Sequence, residues 1–304
     1  MINSKLLNEL LDIFSQNHDE NYEIQLVFDI VDKYSDEIIS PNNFLEFCDY
    51  FSPLKDYGSI PILWISGSGR SGIVKPNIGT IASLYLTFFN YYVVKSGSKK
   101  RTSKCGSTDY INYLISSFGN EILPDNFSYI DVNSRIKWVK YTEILKLNNS
   151  IKALFEKYHV NFFKTDYKFT GSVDIDAVID SYSKAQLNGP GKWFVYNSKI
   201  KNTIIDEFSI GTNRIVSNGD IDYHLKFSEE NYEIPVIDDV IKINNDLLFG
   251  EYTGDFWLKS LELTVSIVLL LTNVVRSMDE GLNLFKNLYE KKPFKKFAES
   301  KKSS

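Results

Sequence analysis

The sequence predicts an α/β protein, with a small N-terminal helical domain packed on a larger α/β domain whose central sheet is mostly parallel. Three observations predict this. Apolar residues recur at helical spacing through residues 1–56. Further on, short apolar runs end in glycine-bearing loops, and each loop opens a helix-like segment. No internal repeat or low-complexity linker interrupts the chain, so intimately packed domains are expected.

The helical domain is expected over 1–60 with part of 135–170. Its first segment carries Leu6, Leu7, Leu10, Leu11, Ile13 and Phe14, and its second Ile24, Val27, Phe28, Ile30 and Val31. Phe44, Phe47, Cys48 and Phe51 suggest a third. The α/β domain is expected over 61–134 and 171–290. Ile62–Ser66 reads as a buried parallel strand, and Gly67-Ser68-Gly69-Arg70-Ser71-Gly72 as the loop after it. Asn77-Ile78-Gly79-Thr80 opens a helix expected through Tyr92, Val93-Val94 is a second strand, and Asp109–Phe118 a further helix. A helix is expected around Tyr141–Tyr158, another over Asp174–Lys184, and a strand at Trp193–Tyr196. Thr203–Glu207 leads into a β-like stretch that ends near Asp220, and Asn245–Gly254 reads as polar and turn-rich. Leu258–Val274 and Asp279–Tyr289 close the domain as helices, and the lysine-rich tail 291–304 reads as a solvated end.

Composition narrows the function. The chain has 304 residues, 43% of them hydrophobic, enough for one large core or two smaller ones. A net charge of −5 argues against general nucleic-acid binding, which is possible but not favoured, while a small anion can still be held by local groups. Cys48 and Cys105 stand far apart, which points to a reduced, cytoplasmic protein. His18, His159 and His224 form no zinc pattern. The N-terminus does not read as a signal peptide, and the most apolar run, Val265–Leu271, is too short to span a membrane.

Three elements carry candidate chemistry. Gly67, Gly69 and Gly72 let backbone N–H groups approach an anion, the next helix points its positive end there, and Asn77 and Thr80 add donors. The same loop also reads as a plain strand–helix turn. In the second loop Lys95 offers a point cation, Ser103 and Ser107 offer hydroxyls, and Gly97 and Gly106 allow tight backbone. Lys99-Lys100-Arg101 reads as a solvated basic patch. Asp206-Glu207 can hold Mg²⁺ bridging to a pyrophosphate, or can be two acids in a surface turn.

The order and spacing of these elements resemble the anthranilate phosphoribosyltransferase family, which shares a fold with class II pyrimidine nucleoside phosphorylases. The family's Gly-Thr-Gly-Gly-Asp loop is matched by Gly67–Ser71, its Asn-Ile-Ser-Thr by Asn77–Thr80, and its Lys-His-Gly-Asn-Arg by Lys95–Lys99. Its Ser-Ser and Gly-Ser-Ala-Asp are matched by Thr102-Ser103 and Gly106–Asp109, with no gap. Asp206-Glu207 resembles the family's magnesium motif, and Ser277–Gly281 its C-terminal helix start.

The resemblance implies a magnesium-dependent phosphoribosyltransferase. Gly67, Ser68, Gly69, Asn77, Gly79, Thr80, Lys95, Gly97, Ser98, Ser103 and Ser107 would hold phosphoribosyl pyrophosphate, Asp206 and Glu207 the metal, and Lys95 and Arg70 would serve catalysis. It also implies a homodimer through the N-terminal helices and a small-molecule acceptor. Arg70, Ser71, Gly79, Ser96 and Ser98 depart from the family pattern, Arg70 standing where the family has Gly, and no counterpart is found for the arginine that binds the anthranilate carboxylate. The acceptor is therefore expected to be something other than anthranilate. The alternatives are a nucleoside phosphorylase, or a non-catalytic relative that binds nucleotide, nucleic acid or protein.

Overall fold

The structure is a computed structural model, which describes residues 60–67, 72–97, 99, 104–131, 166–184, 192–218, 222–227 and 233–302. The chain divides into two units, and nearly all described residues belong to the one formed by Ser59–Asp131, Thr165–Tyr182 and Pro190–Ser304. The helical domain expected at 1–60 and the helix expected around 141–158 lie outside the described residues.

The unit is built on one 8-stranded sheet. Strands β1 (Ile62–Gly67), β2 (Tyr92–Gly97), β3 (Phe127–Asp131), β4 (Tyr167–Gly171) and β5 (Lys192–Ile200) run parallel in the spatial order β3-β2-β1-β4-β5. Strand β7 (Thr212–Ser217) joins β5 antiparallel, and β8 (Asp222–Lys226) joins β7. The short β6 (Thr203–Ile205) pairs with the far end of β5. The strand order therefore reverses between β1 and β4. In open α/β sheets ligands collect outside the carboxyl ends of the strands at such a reversal.

Helices cover both faces, which is why the central strands carry apolar runs. Leu63, Ile65, Val93, Phe169 and Phe194 belong to the main core, shared with α1 (Ile78–Leu86), α2 (Ser107–Phe118), α4 (Val240–Leu248), α5 (Asp255–Leu271) and α6 (Met278–Glu290). Trp193 and Val195 alternate to the opposite face and meet Ile175 of α3 (Ile175–Lys184) in a smaller cluster. Helix α5 packs on both α1 and α6. Its buried hydroxyls bond back one turn, Ser260 to the Phe256 carbonyl at 3.0 Å and Thr264 to that of Ser260 at 2.7 Å, so they are satisfied inside the core. Among the described residues no helix is long and apolar enough to cross a membrane.

Several sequence expectations are corrected. The helix expected to reach Tyr92 ends at Leu86 and continues as one 3₁₀ turn, Thr87–Phe89. Asn90 then turns left-handed, with φ 60°, a conformation Asn tolerates better than most side chains, and β2 begins at Tyr92. The segment read as turn-rich from Asn245 is helical through Leu248, because Asp239 caps α4 by accepting from the Lys242 N–H at 2.9 Å. The lysine-rich tail, expected to be a solvated end, forms α7 (Pro293–Lys302). Pro293 starts it, a position where proline fits. Phe294 and Ala298, at i and i+4, are buried, and Phe294 meets Tyr85 edge-on at 5.4 Å and Phe88 at 5.6 Å. Counting lysines hid this stripe, because long cationic side chains cover apolar surface while their heads stay in water.

Phe294→Ala should therefore destabilise the folded chain by about 3 kcal/mol in urea denaturation. A solvated end would predict no change.

Candidate functional site

Glycine ends three neighbouring parallel strands, Gly67 on β1, Gly97 on β2 and Gly171 on β4. Two of these are required sterically. A Cβ at Gly171 would fall 2.0 Å from the backbone carbonyl oxygen of Asp206. A Cβ at Gly97 would fall 2.6 Å from Ser107 Cβ and 2.8 Å from the Tyr129 hydroxyl. The first glycine lets the Asp206 loop cross the end of β4. The second lets the start of α2 settle against the end of β2.

Two helix N-termini converge beside these strand ends. Asn77 is the N-cap of α1 and Gly106 that of α2; neither N-cap side chain caps its helix, and at α2 the Asp109 carboxylate accepts the Gly106 N–H at 2.9 Å. The caps are joined directly, with Asn77 Nδ2 donating to the Gly106 carbonyl at 3.2 Å. Asn244, fully buried on α4, fixes this corner by accepting the Asn77 N–H at 2.8 Å. The first turn of α1 carries Gly79 and Thr80. Thr80 Oγ1 is buried and has no hydrogen-bond partner among the described residues. Such N-termini attract anions through their uncapped amides and the helix dipole.

Four ionisable side chains stand beside this corner. Lys95, on β2, is 3% exposed. Its Nζ donates to the Ser96 carbonyl at 2.5 Å, and no carboxylate lies within ion-pair distance among the described residues. Burial lowers the Lys95 ammonium to about 8, with the charges of Glu207 and Asp206 opposing that shift and Lys75 adding to it. Asp206 and Glu207, 3% and 7% exposed, lie in the turn after β6. Glu207 Oε2 would be 3.4 Å from a Cβ at Gly79, which places the carboxylate over the first turn of α1. Lys75 reaches both acids, at 2.7 Å to Glu207 Oε1 and 3.3 Å to Asp206 Oδ1. Burial alone would pull Lys75 down, but the two carboxylates outweigh it and hold the ammonium above the ordinary lysine range.

A buried hydroxyl and amide network sets the position of the acidic turn. Ser198 Oγ donates to the Glu207 carbonyl at 2.8 Å, and Ser209 Oγ donates to Ser198 Oγ at 2.7 Å. Asn213 accepts the Ser209 N–H at 2.9 Å and donates to the Ser209 and Gly211 carbonyls at 2.7 and 3.0 Å. Phe208 stacks on Tyr196 with ring centroids 3.9 Å apart.

The structure thus brings together Gly67, Asn77, Gly79, Thr80, Lys95, Gly97, Ser107, Asp206 and Glu207. Ser68, Gly69, Arg70, Ser98 and Ser103 lie outside the described residues. Asn77, expected to face the ligand, spends its amide donor on the Gly106 carbonyl. Lys75, Asn244, Ser198 and Asn213 escaped the sequence reading. Only Lys75 carried a signal, as a cation three residues before the start of α1. Among the described residues no group of three or more His, Cys, Asp or Glu could hold a metal ion. The acidic pair expected to hold magnesium has the Lys75 ammonium on both members. A magnesium ion needs a shell of oxygen ligands, so the residues as they stand do not fit one.

The strand order, the glycine strand ends and the converging helix N-termini define an α/β protein whose candidate site lies at the carboxyl end of the sheet. In particular, the chain has the fold of the anthranilate phosphoribosyltransferases. The enzyme from Saccharomyces cerevisiae in complex with PRPP and Mg matches with a TM-score of 0.59 at 16% identity, over 97% of this chain and 89% of that one. The enzyme from Thermus thermophilus matches with a TM-score of 0.57 at 18% identity, over 97% of both chains. The yeast enzyme in complex with 4-fluoroanthranilate gives a TM-score of 0.56 at 15% identity, over 97% of this chain and 89% of that one. No protein-family model matches the chain, and no curated protein matches it. At these identities the likeness is one of fold.

The state of Lys95 makes a pH prediction. Folded Lys95 releases its proton near 8, and the unfolded chain near the ordinary 10.5. Between those values unfolding takes up a proton, so stability rises with pH. The slope is up to about 1.4 kcal/mol per pH unit between about pH 8 and about pH 10. Above that range the buried tyrosines, Tyr110 and Tyr196 among them, oppose it, because burial holds their hydroxyls protonated in the fold. Denaturant unfolding should show the slope in the native chain and lose it in Lys95→Met.

Proposed function

We propose that this site binds the diphosphate of phosphoribosyl pyrophosphate, and that the chain transfers phosphoribose to a small-molecule acceptor other than anthranilate. One observation carries the reading. Lys95 is a buried cation with no carboxylate in ion-pair distance among the described residues, beside two converging helix N-termini. A buried charge in that setting calls for an anion. The fold supports the donor class, since a yeast enzyme of the same fold is solved with PRPP and Mg.

In this reading the first-turn amides of α1 and α2, the Thr80 and Ser107 hydroxyls and Lys95 receive the diphosphate. Gly97 lets Ser107 come up against the end of β2, and Gly67 lies at the end of β1 beside Asp206. Ser68, Gly69, Arg70, Ser98 and Ser103 are added to this set from the sequence resemblance alone. The acceptor attacks the anomeric carbon as the bond to the diphosphate oxygen breaks. The electron pair leaves with the diphosphate, and the oxocarbenium character lies on the ribose. Lys95 and the helix N-termini act by stabilising the negative charge that gathers on the leaving group. No side-chain nucleophile is needed. Asp206 and Glu207, expected to hold magnesium, would take one up only if Lys75 left them, and no step is assigned to a metal.

The test is calorimetric titration of phosphoribosyl pyrophosphate into the full chain, with Lys95→Met alongside. Binding weakened by about tenfold or more in the variant is expected, the scale of one charged hydrogen bond. No binding to the native chain would sink the reading.

A further inference from the structure

We propose that the Lys75 ammonium is the resident cation of the Asp206–Glu207 pair, standing where a divalent metal ion would stand and keeping such an ion out. The inference goes beyond the transferase reading and does not depend on the identity of any donor.

Distance and burial carry it first. Lys75 Nζ lies 2.7 Å from Glu207 Oε1 and 3.3 Å from Asp206 Oδ1, with side-chain exposures of 12%, 10% and 2% for the three residues. The ammonium thus donates to Glu207 and stands within ion-pair distance of Asp206, whose Oδ1 has no hydrogen-bond partner among the described residues, so it lies between the two carboxylates where a shared metal ion would lie. Both ends of the contact are anchored. On the lysine side, Pro76 fixes the backbone just after Lys75, and the next N–H, that of Asn77, is held by Asn244 at 2.8 Å. On the acidic side, Ser198 holds the Glu207 carbonyl at 2.8 Å, and Asn213 holds the nearby Ser209.

Charge carries it further. Among the described residues, Lys75 and Lys95 against Asp206 and Glu207 make a balanced set when all four are ionised. A divalent ion added to that set would face two ammonium groups in a medium where charges are weakly screened. Removing Lys75 reverses the position. Two buried carboxylates would then face one lysine, and an ion with water completing its shell would restore the balance.

The probe is Mn²⁺ alone, titrated into the full chain, with free Mn²⁺ read by electron paramagnetic resonance. The native chain and Lys75→Arg should show no uptake that depends on Asp206. Lys75→Met should lose free-ion signal to a bound species, and the signal should return in Lys75→Met combined with Asp206→Asn. Uptake by the native chain that Asp206→Asn abolishes would overturn the proposal. So would a folded Lys75→Met, by circular dichroism, that takes up no Mn²⁺. If Lys75→Met does not fold, Lys75→Gln replaces it, and the comparison of the native chain with Asp206→Asn decides against the proposal by itself. Failure of phosphoribosyl pyrophosphate to bind would remove the transferase reading and leave this result standing.

Discussion

Lys75, Asp206 and Glu207 form an ion cluster buried at the carboxyl end of the sheet, and much of the surrounding structure serves to make that burial possible. An ion taken out of water loses several kcal/mol of hydration, which only close, well-directed partners offset. The partners come from distant parts of the chain. Lys75 precedes α1, and the acids follow β6. They meet because the Asp206 carbonyl crosses the end of β4 where Gly171 has no side chain, and because Ser198, Ser209 and Asn213 lock the turn from below. Lys95 stands apart from the cluster with its positive charge unmatched by a neighbouring carboxylate among the described residues. That contrast, one lysine satisfied and one not, is the basis for placing an anion here and for leaving a metal out.

Much of the sheet and part of the site were legible in the sequence. Strands β1 and β2 showed as apolar runs because both of their faces are buried, and the glycines after them marked the loops. Lys95 was legible because a lysine directly after Val93-Val94 is out of place in a buried strand unless it has work to do. Strand β4 was not legible. Within Tyr167–Gly171 the buried Lys168 alternates with aromatic residues, so no apolar run forms; the lysine is accommodated over the Trp64 ring at 5.1 Å. Lys75 stayed hidden because little in its local sequence distinguishes it. Its meaning lies in two acids more than a hundred residues away. Asn244 was invisible for the same reason, because the Asn77 N–H it accepts is brought near by folding; Asn213 bonds Ser209 and Gly211 within four residues but stands in no pattern that marks it.

The fold is that of enzymes solved with PRPP, magnesium and 4-fluoroanthranilate, at 15–16% identity. Gly79 sits under Glu207 with a carboxylate oxygen 3.4 Å from where a Cβ would be, so a side chain there would touch the cluster. Ser96 is drawn into the sheet, accepting from Trp64 Nε1 at 2.9 Å. These positions belong to the internal structure of the site, and their departures from the family pattern are consistent with one another. The architecture is kept, and the positive charge beside the acids comes from Lys75.

The most direct measurement is a crystal structure grown with pyrophosphate and magnesium. The account predicts the anion against the first turns of α1 and α2, within hydrogen-bond reach of Lys95, with Lys75 still on Asp206 and Glu207. A magnesium ion on those two carboxylates, with Lys75 swung away, would contradict it.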